Sequence, residues 1–198
     1  MSWRRICASA ALLLLLGGQA PARDEDAAIA NSLAQMLRAA RAVISANQTL
    51  INDPDKGDKG LTGQAVLADS LKLYRDATGS DPTTIDPASR QGRLLRAQMD
   101  AIVEVLDANQ TTINAKGVGF KAFIPAVFAR LVNEAFARRA GEEASVKVTA
   151  PVDLVRNRKA LPDALERQVI EEKFLVPAGR RAARSRPWSI AAATRCTA

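Results

Sequence analysis

From Asp24 to Phe136 the apolar residues recur every three or four positions, which commits most of the chain to helices packed through one face. Ile29, Leu33, Met36, Leu37, Ala40, Val43 and Ile44 make the first stripe, and Asp24, Glu25 and Asp26 crowd its start. Carboxylates there suit the positive end of the helix dipole. A second helix is predicted over residues 62–77, with Val66, Leu67, Leu71 and Tyr74 on its face and Gly79 as its stop. Asp86 as N-cap and Pro87 at the first helical position predict a third, running through Leu94, Leu95, Ile102, Val105 and Leu106. A fourth begins near Pro125 and carries Val127, Phe128, Leu131, Val132 and Phe136. After Gly141 the period changes. Val146-Lys147-Val148-Thr149 alternates and reads as a strand, and a last short helix is predicted over 162–173.

One heptapeptide occurs twice. Ala46-Asn47-Gln48-Thr49-Leu50-Ile51-Asn52 returns as Ala108-Asn109-Gln110-Thr111-Thr112-Ile113-Asn114, each copy closing a long amphipathic helix and opening a glycine-containing loop. Amide side chains at such places commonly satisfy carbonyls left unpaired at a helix end. The competing reading is that two equivalent loops line one pocket; capping is preferred. Both copies spell an Asn-x-Thr sequon, which matters only in a eukaryotic secretory pathway.

The chain opens like an exported precursor. Trp3-Arg4-Arg5 precedes an apolar run from Ile6 to Leu16, Gly17-Gly18-Gln19 breaks it, and Ala20-Pro21-Ala22 offers small residues for cleavage after Ala22. The run is far shorter than the roughly 20 apolar residues of a membrane span. A signal peptide over 1–22, a periplasmic location and no transmembrane anchor in the mature chain are therefore expected. The formal charge is +7, but Arg4 and Arg5 lie in this leader, and Arg180, Arg181, Arg184, Arg186 and Arg195 in the last 22 residues. The body, 23–176, carries 21 basic and 21 acidic residues. A neutral body argues against nucleic acid as a partner. Of the two cysteines, Cys7 lies in the leader and Cys196 in the tail, so the mature chain has no intramolecular disulfide to form.

The sequence contains no histidine. That removes Ser-His-Asp and Cys-His catalysis, zincin motifs and haem attachment through Cys-x-x-Cys-His. Asp53, Asp55 and Asp58 around Gly57 hint at a calcium loop, but the glycine precedes Asp58, position twelve is Gln64, and Lys56 and Lys59 oppose a cation. A solvated turn is expected, and no metal. Gly117-Val118-Gly119-Phe120-Lys121-Ala122 formally matches a nucleotide fingerprint, yet it follows a helix and runs into Pro125. Its glycines instead predict a sharp turn that drops Phe120 and Phe123 into the core.

Residues 116–166 resemble a bacterial family of exported domains of unknown function. The resemblance rests on Gly119-Phe120-Lys121-Ala122-Phe123-Ile124-Pro125-Ala126, on Val146-Lys147-Val148-Thr149, and on Arg156-Asn157 followed by Pro162-Asp163 and Glu166. Asp58-Lys59-Gly60-Leu61-Thr62-Gly63 fits the same pattern, and the likeness covers about residues 27–176. It implies a PAS-like α/β fold with a long N-terminal helix and, in some members, a covalent c-type haem. Here the haem-attachment Cys-x-x-Cys-His is missing, so no cofactor is expected. From Pro177 onward the chain turns Ala/Arg-rich, the mark of a disordered or out-of-frame tail over 177–198 and of a truncated sheet.

The fold class expected is therefore α/β, specifically helix-rich α+β: a PAS-like domain over 23–176 with a short, incomplete antiparallel sheet. The resemblance implies a non-enzymatic sensory domain that binds a small molecule. Arg156 is the candidate anchor for an acidic ligand group, with Asn157 beside it and Phe120 and Phe123 as apolar walls; the structural alternative pairs Arg156 with Glu166 or Asp163. A degenerate haem protein is the first alternative function, and a helical envelope adaptor for a partner protein the second.

Overall fold

The computed structural model describes residues 20–174 and 191–196. It is helix-rich. Helix α1 spans Ala20–Ala46, the short α2 Gln48–Asn52, α3 Gly63–Thr78, α4 Arg90–Ala108, the short α5 Gln110–Ile113 and α6 Pro125–Ala140. Strand β1 (Ala144–Thr149) follows, then two 3-10 turns, and α7 (Ala164–Val169), which runs on as a π-turn over Ile170–Phe174. Strand β2 (Ala191–Cys196) pairs antiparallel with β1, Ala144 opposite Cys196 and Thr149 opposite Ala191. Among the described residues the sheet has these two strands alone. Residues 1–19 of the expected leader and 175–190 and 197–198 of the tail lie outside the described residues.

The long helices form two hairpins, α1 on α3 and α4 on α6, that pack together through α1–α4, α3–α4 and α1–α6 into a four-helix bundle. Helical spacing explains the core. Leu33, Met36, Ala40 and Ile44 of α1, Leu95, Ile102 and Leu106 of α4, and Phe128, Val132 and Phe136 of α6 are all completely buried. Strand β1 lies on α6 with Ala144 and Val146 turned inward.

Helix ends follow local chemistry. Thr62 caps α3 by accepting from the Ala65 N–H, and Gly79 closes it in the left-handed conformation (φ 70°). Asp163 and Glu166 form a reciprocal capping box at α7. The expected start of the third helix at Asp86-Pro87 is corrected: α4 begins at Arg90, capped by Ser89, whose Oγ accepts from the Gly92 N–H at 3.0 Å. Asp86 instead accepts from the Ala88 N–H and closes the turn before it. At that end of the bundle Arg90 bridges Asp26 (2.5 Å) and Glu143 (3.3 Å).

The heptapeptide repeat proves to be part of a longer one. Helix, short helix, loop, helix occurs as α1–α2–α3 and again as α4–α5–α6, with equivalent residues 62 positions apart. Ile51 and Ile113 are both fully buried, as are Met36 and Gln98. Gly60 and Ala122, again equivalent, both hold positive φ.

Candidate functional site

The two halves meet at the loop end of the bundle through reciprocal hydrogen bonds. Gln48 Nε2 donates to the Phe123 carbonyl at 3.0 Å, and its equivalent Gln110 Nε2 donates to the Leu61 carbonyl at 2.9 Å. Asn52 Oδ1 accepts from the Lys121 N–H at 3.2 Å, and Asn114 Oδ1 accepts from the Lys59 N–H at 3.0 Å. Each contact from one half is returned by the other, the signature of a two-fold interface within a single chain. Neighbouring amides of the repeat cap the preceding helices. Asn47 donates to the Val43 carbonyl (2.9 Å), and Asn109 to that of Val105 (2.7 Å). The repeat thus serves as helix-end capping and, through the crosswise bonds, also ties the two halves together.

This clasp brings together two lysines that are almost fully buried, Lys59 (4 % exposed) and Lys121 (6 %). Lys121 Nζ donates to the carbonyls of Ile51 (2.6 Å) and Asp53 (3.0 Å). Lys59 Nζ donates to the same Asp53 carbonyl (2.7 Å) and to that of Lys56. Both thus neutralise carbonyls at and just past the C-terminal end of α2, where cations are favoured. Here the symmetry breaks, because both side chains turn to the first half. Burial, and then the neighbouring Lys59 ammonium, hold the Lys121 ammonium below the ordinary lysine range. The Asp53 carboxyl is held low by the backbone N–H groups of Asp55 and Lys56, at 2.8 and 3.2 Å.

The aspartates once suggestive of a calcium loop are occupied with their own turn, Asp53 as just described and Asp58 accepting from the Gly60 N–H. No group of three or more potential metal ligands occurs among the described residues.

A second polar feature lies inside the bundle. Gln98 of α4 is fully buried, and neither atom of its amide has a partner. Arg41 Nε of α1 and Asn133 Oδ1 of α6 are also buried and unpartnered, on helices that pack against α4 and each other. Burial, followed by the charge of Arg38, lowers the Arg41 pKa.

The residues singled out from the sequence fall in separate environments. Phe123 is buried and packs on Phe128, ring centroids 6.1 Å apart. Phe120 is 69 % exposed, which corrects the expectation that both phenylalanines drop into the core. The chain takes left-handed conformations at Gly117 and Ala122, so consecutive aromatics of this loop face different ways. Arg156 and Asn157 lie exposed in the connection after β1, where Asn157 Oδ1 accepts from the Lys159 N–H (3.1 Å). The expected pairing of Arg156 with Glu166 is replaced: Glu166 lies 2.6 Å from Lys147 Nζ and closes the capping box with Asp163.

Sequence reasoning missed Lys59, Lys121 and Gln98. A signal existed for the lysines: extending the 62-residue offset past Asn52 and Asn114 aligns Lys59-Gly60-Leu61 with Lys121-Ala122-Phe123. Gln98 was hidden because its helical stripe is apolar on either side. No protein-family model, no curated protein and no solved structure matches this chain.

Proposed function

We propose that the chain is an exported, non-enzymatic sensory domain that binds a small polar ligand within its helical bundle. The observation that carries this reading is the Gln98 amide, completely buried with no hydrogen-bond partner for donor or acceptor. Buried polar groups in folded proteins are almost always paired, and leaving one unpaired costs about 1–3 kcal/mol. The equivalent position in the first half is Met36, so the bundle tolerates an apolar residue there. A polar guest gives the amide a purpose. Arg41 Nε and Asn133 Oδ1 are further buried atoms without partners, on the two helices packed against α4.

The reading moves the ligand from the Arg156 corner to the bundle. Arg156 and Asn157 are exposed, and the space beside Phe123 is filled by Phe128. The PAS-like assignment belongs to the same proposal and rests on the motif resemblance, as does export on the leader. A thermal-shift panel of amino acids, small carboxylates and nucleobases, run on the wild type and on Gln98→Met, tests the site. A compound that raises the melting temperature of the wild type and loses that effect in the variant supports it. Equal shifts in both proteins overturn it.

The adaptor reading has one observation in its favour. Val152, Leu154, Leu161, Leu165 and Val169 are 40–67 % exposed within one stretch of chain, and Leu165 and Val169 share a face of α7. Retained function after Leu154→Ser and Leu165→Ser would remove that alternative.

A further inference from the structure

The Gln98 amide sets the chemistry of the guest it can hold. Its Nε2 brings N–H donors and its Oε1 acceptor lone pairs, and neither atom has a partner. The side chains of α4 that neighbour it, Leu94 and Leu95 one turn before and Ala101 and Ile102 one turn after, are buried and apolar. None of them can answer either half of the amide. A guest that satisfies both halves has to accept from Nε2 and donate to Oε1 at the same time. A carboxylate only accepts, so it would answer Nε2 and set oxygen against Oε1. An ammonium only donates, and would set its protons against those of Nε2. Each would also bring a net charge into an apolar layer, where an ion without a counter-charge is strongly disfavoured.

Taking Gln98 as the ligand site, as the proposed function does, we infer that the bundle takes a neutral ligand presenting an N–H and a C=O side by side. Carboxamides, ureas and lactams make up that class. Such a group lies edge to edge with the Gln98 amide, accepting from Nε2 and donating to Oε1 through two parallel hydrogen bonds. Paired bonds of this kind fix the plane and direction of the guest, as they do wherever an Asn or Gln amide reads a donor–acceptor edge.

Burial sharpens the choice. Gln98 has no exposed surface, and hydrogen bonds formed away from water are electrostatically stronger. A guest that answers one half of the amide leaves the other half as an unpaired buried group, so a mismatch is penalised as well as unrewarded. Met36, the equivalent residue of the first half, is also fully buried and is unbranched like glutamine, but it has neither an amide donor nor an amide acceptor. The pairing edge therefore belongs to the second half.

The test is an NMR titration of the whole protein with acetamide, γ-butyrolactam, N-methylacetamide, acetate and methylammonium, read at the side-chain amide of Gln98. The lactam ring holds its N–H and C=O on the same side, whereas N-methylacetamide is a trans amide whose two groups point apart. Acetamide and the lactam should shift the Gln98 amide resonances and bind at least about tenfold more tightly than the other three probes. Gln98→Met should lose that preference. Equal binding of N-methylacetamide, or tighter binding of methylammonium or of acetate with Arg41 as its counter-charge, overturns the amide class if it still depends on Gln98, and leaves the bundle site standing. No Gln98-dependent binding of any probe overturns the site and the class with it. Should Gln98→Met fail to fold, the ranking of the probes at the Gln98 resonances of the wild type decides alone.

Discussion

Gly60 and Ala122 occupy equivalent places in the two halves and hold the same left-handed backbone, φ 67° and 57°. Only glycine adopts that conformation without a steric penalty, which is roughly 1–2 kcal/mol for other residues. The second half therefore carries a strain that the first avoids. Ala122→Gly should stabilise the protein by about 1 kcal/mol, and Gly60→Ala, with open space around its Cβ position, should destabilise it by a similar amount. Urea unfolding of both variants checks the sign at each position.

Replacing Gln98 by Met copies the residue of the first half into the second. Without ligand the variant should gain about 1–3 kcal/mol, because an unpaired amide is removed from a fully buried position. A loss of stability in calorimetry would mean that the amide is satisfied by a partner such as bound water.

Gly63 lets α3 touch α4. A Cβ there would stand 2.6 Å from the Val103 carbonyl oxygen and 2.8 Å from the Val103 Cα, backbone atoms that move only with the helix. Gly63→Ala should cost about 1–3 kcal/mol despite the better helix propensity of alanine. The shift in urea midpoint, at constant m-value, is the measurement.

Removing either crosswise amide leaves two carbonyls short. Gln110 Nε2 serves both Leu61 and Leu106, so Gln110→Ala should lose about 1–3 kcal/mol, and Gln48→Ala a comparable amount. Because each bond joins the halves, the double variant should exceed neither the stability nor the exchange protection of either single one. Hydrogen exchange at Ile51 and Ile113 reads this out.

Glu104 ties α4 to α6 through Arg138, at 2.7 Å, and Arg139. Hydrogen bonding from Arg139 and then Arg138 holds its carboxyl below the ordinary value of 4.5 against a contribution from burial that raises it. The folded state therefore binds the proton more weakly than the unfolded one. That stability is present above the ordinary value and lost as pH falls through the folded one. Glu104→Gln should flatten the acid limb of the stability profile while changing neutral stability by less than about 1 kcal/mol, since the pair is partly exposed.

The helices were legible because burial follows a period. Val66 and Tyr74, or Phe128, Val132 and Phe136, announce a face whatever they pack on, and Gly79 announces a stop. Where a local choice competed, legibility failed: Asp86-Pro87 and Ser89 both offer a helix start, and only the packing of Gly92 against the Asp86 carbonyl selects Ser89.

By itself the sequence determined a helix-rich chain of two similarly ended halves, with no histidine chemistry and a neutral body between basic ends. What the tertiary structure alone decided is which residues of the two halves meet. Lys59 and Lys121 are two loop lysines matched in one dimension only by the 62-residue offset, and Gln98 is one polar residue in an amphipathic helix. They become a buried lysine pair on one shared carbonyl and an unpaired buried amide because the halves associate about a pseudo-two-fold relation. Proximity, burial and the count of hydrogen-bond partners are properties of that association, and no local pattern encodes them.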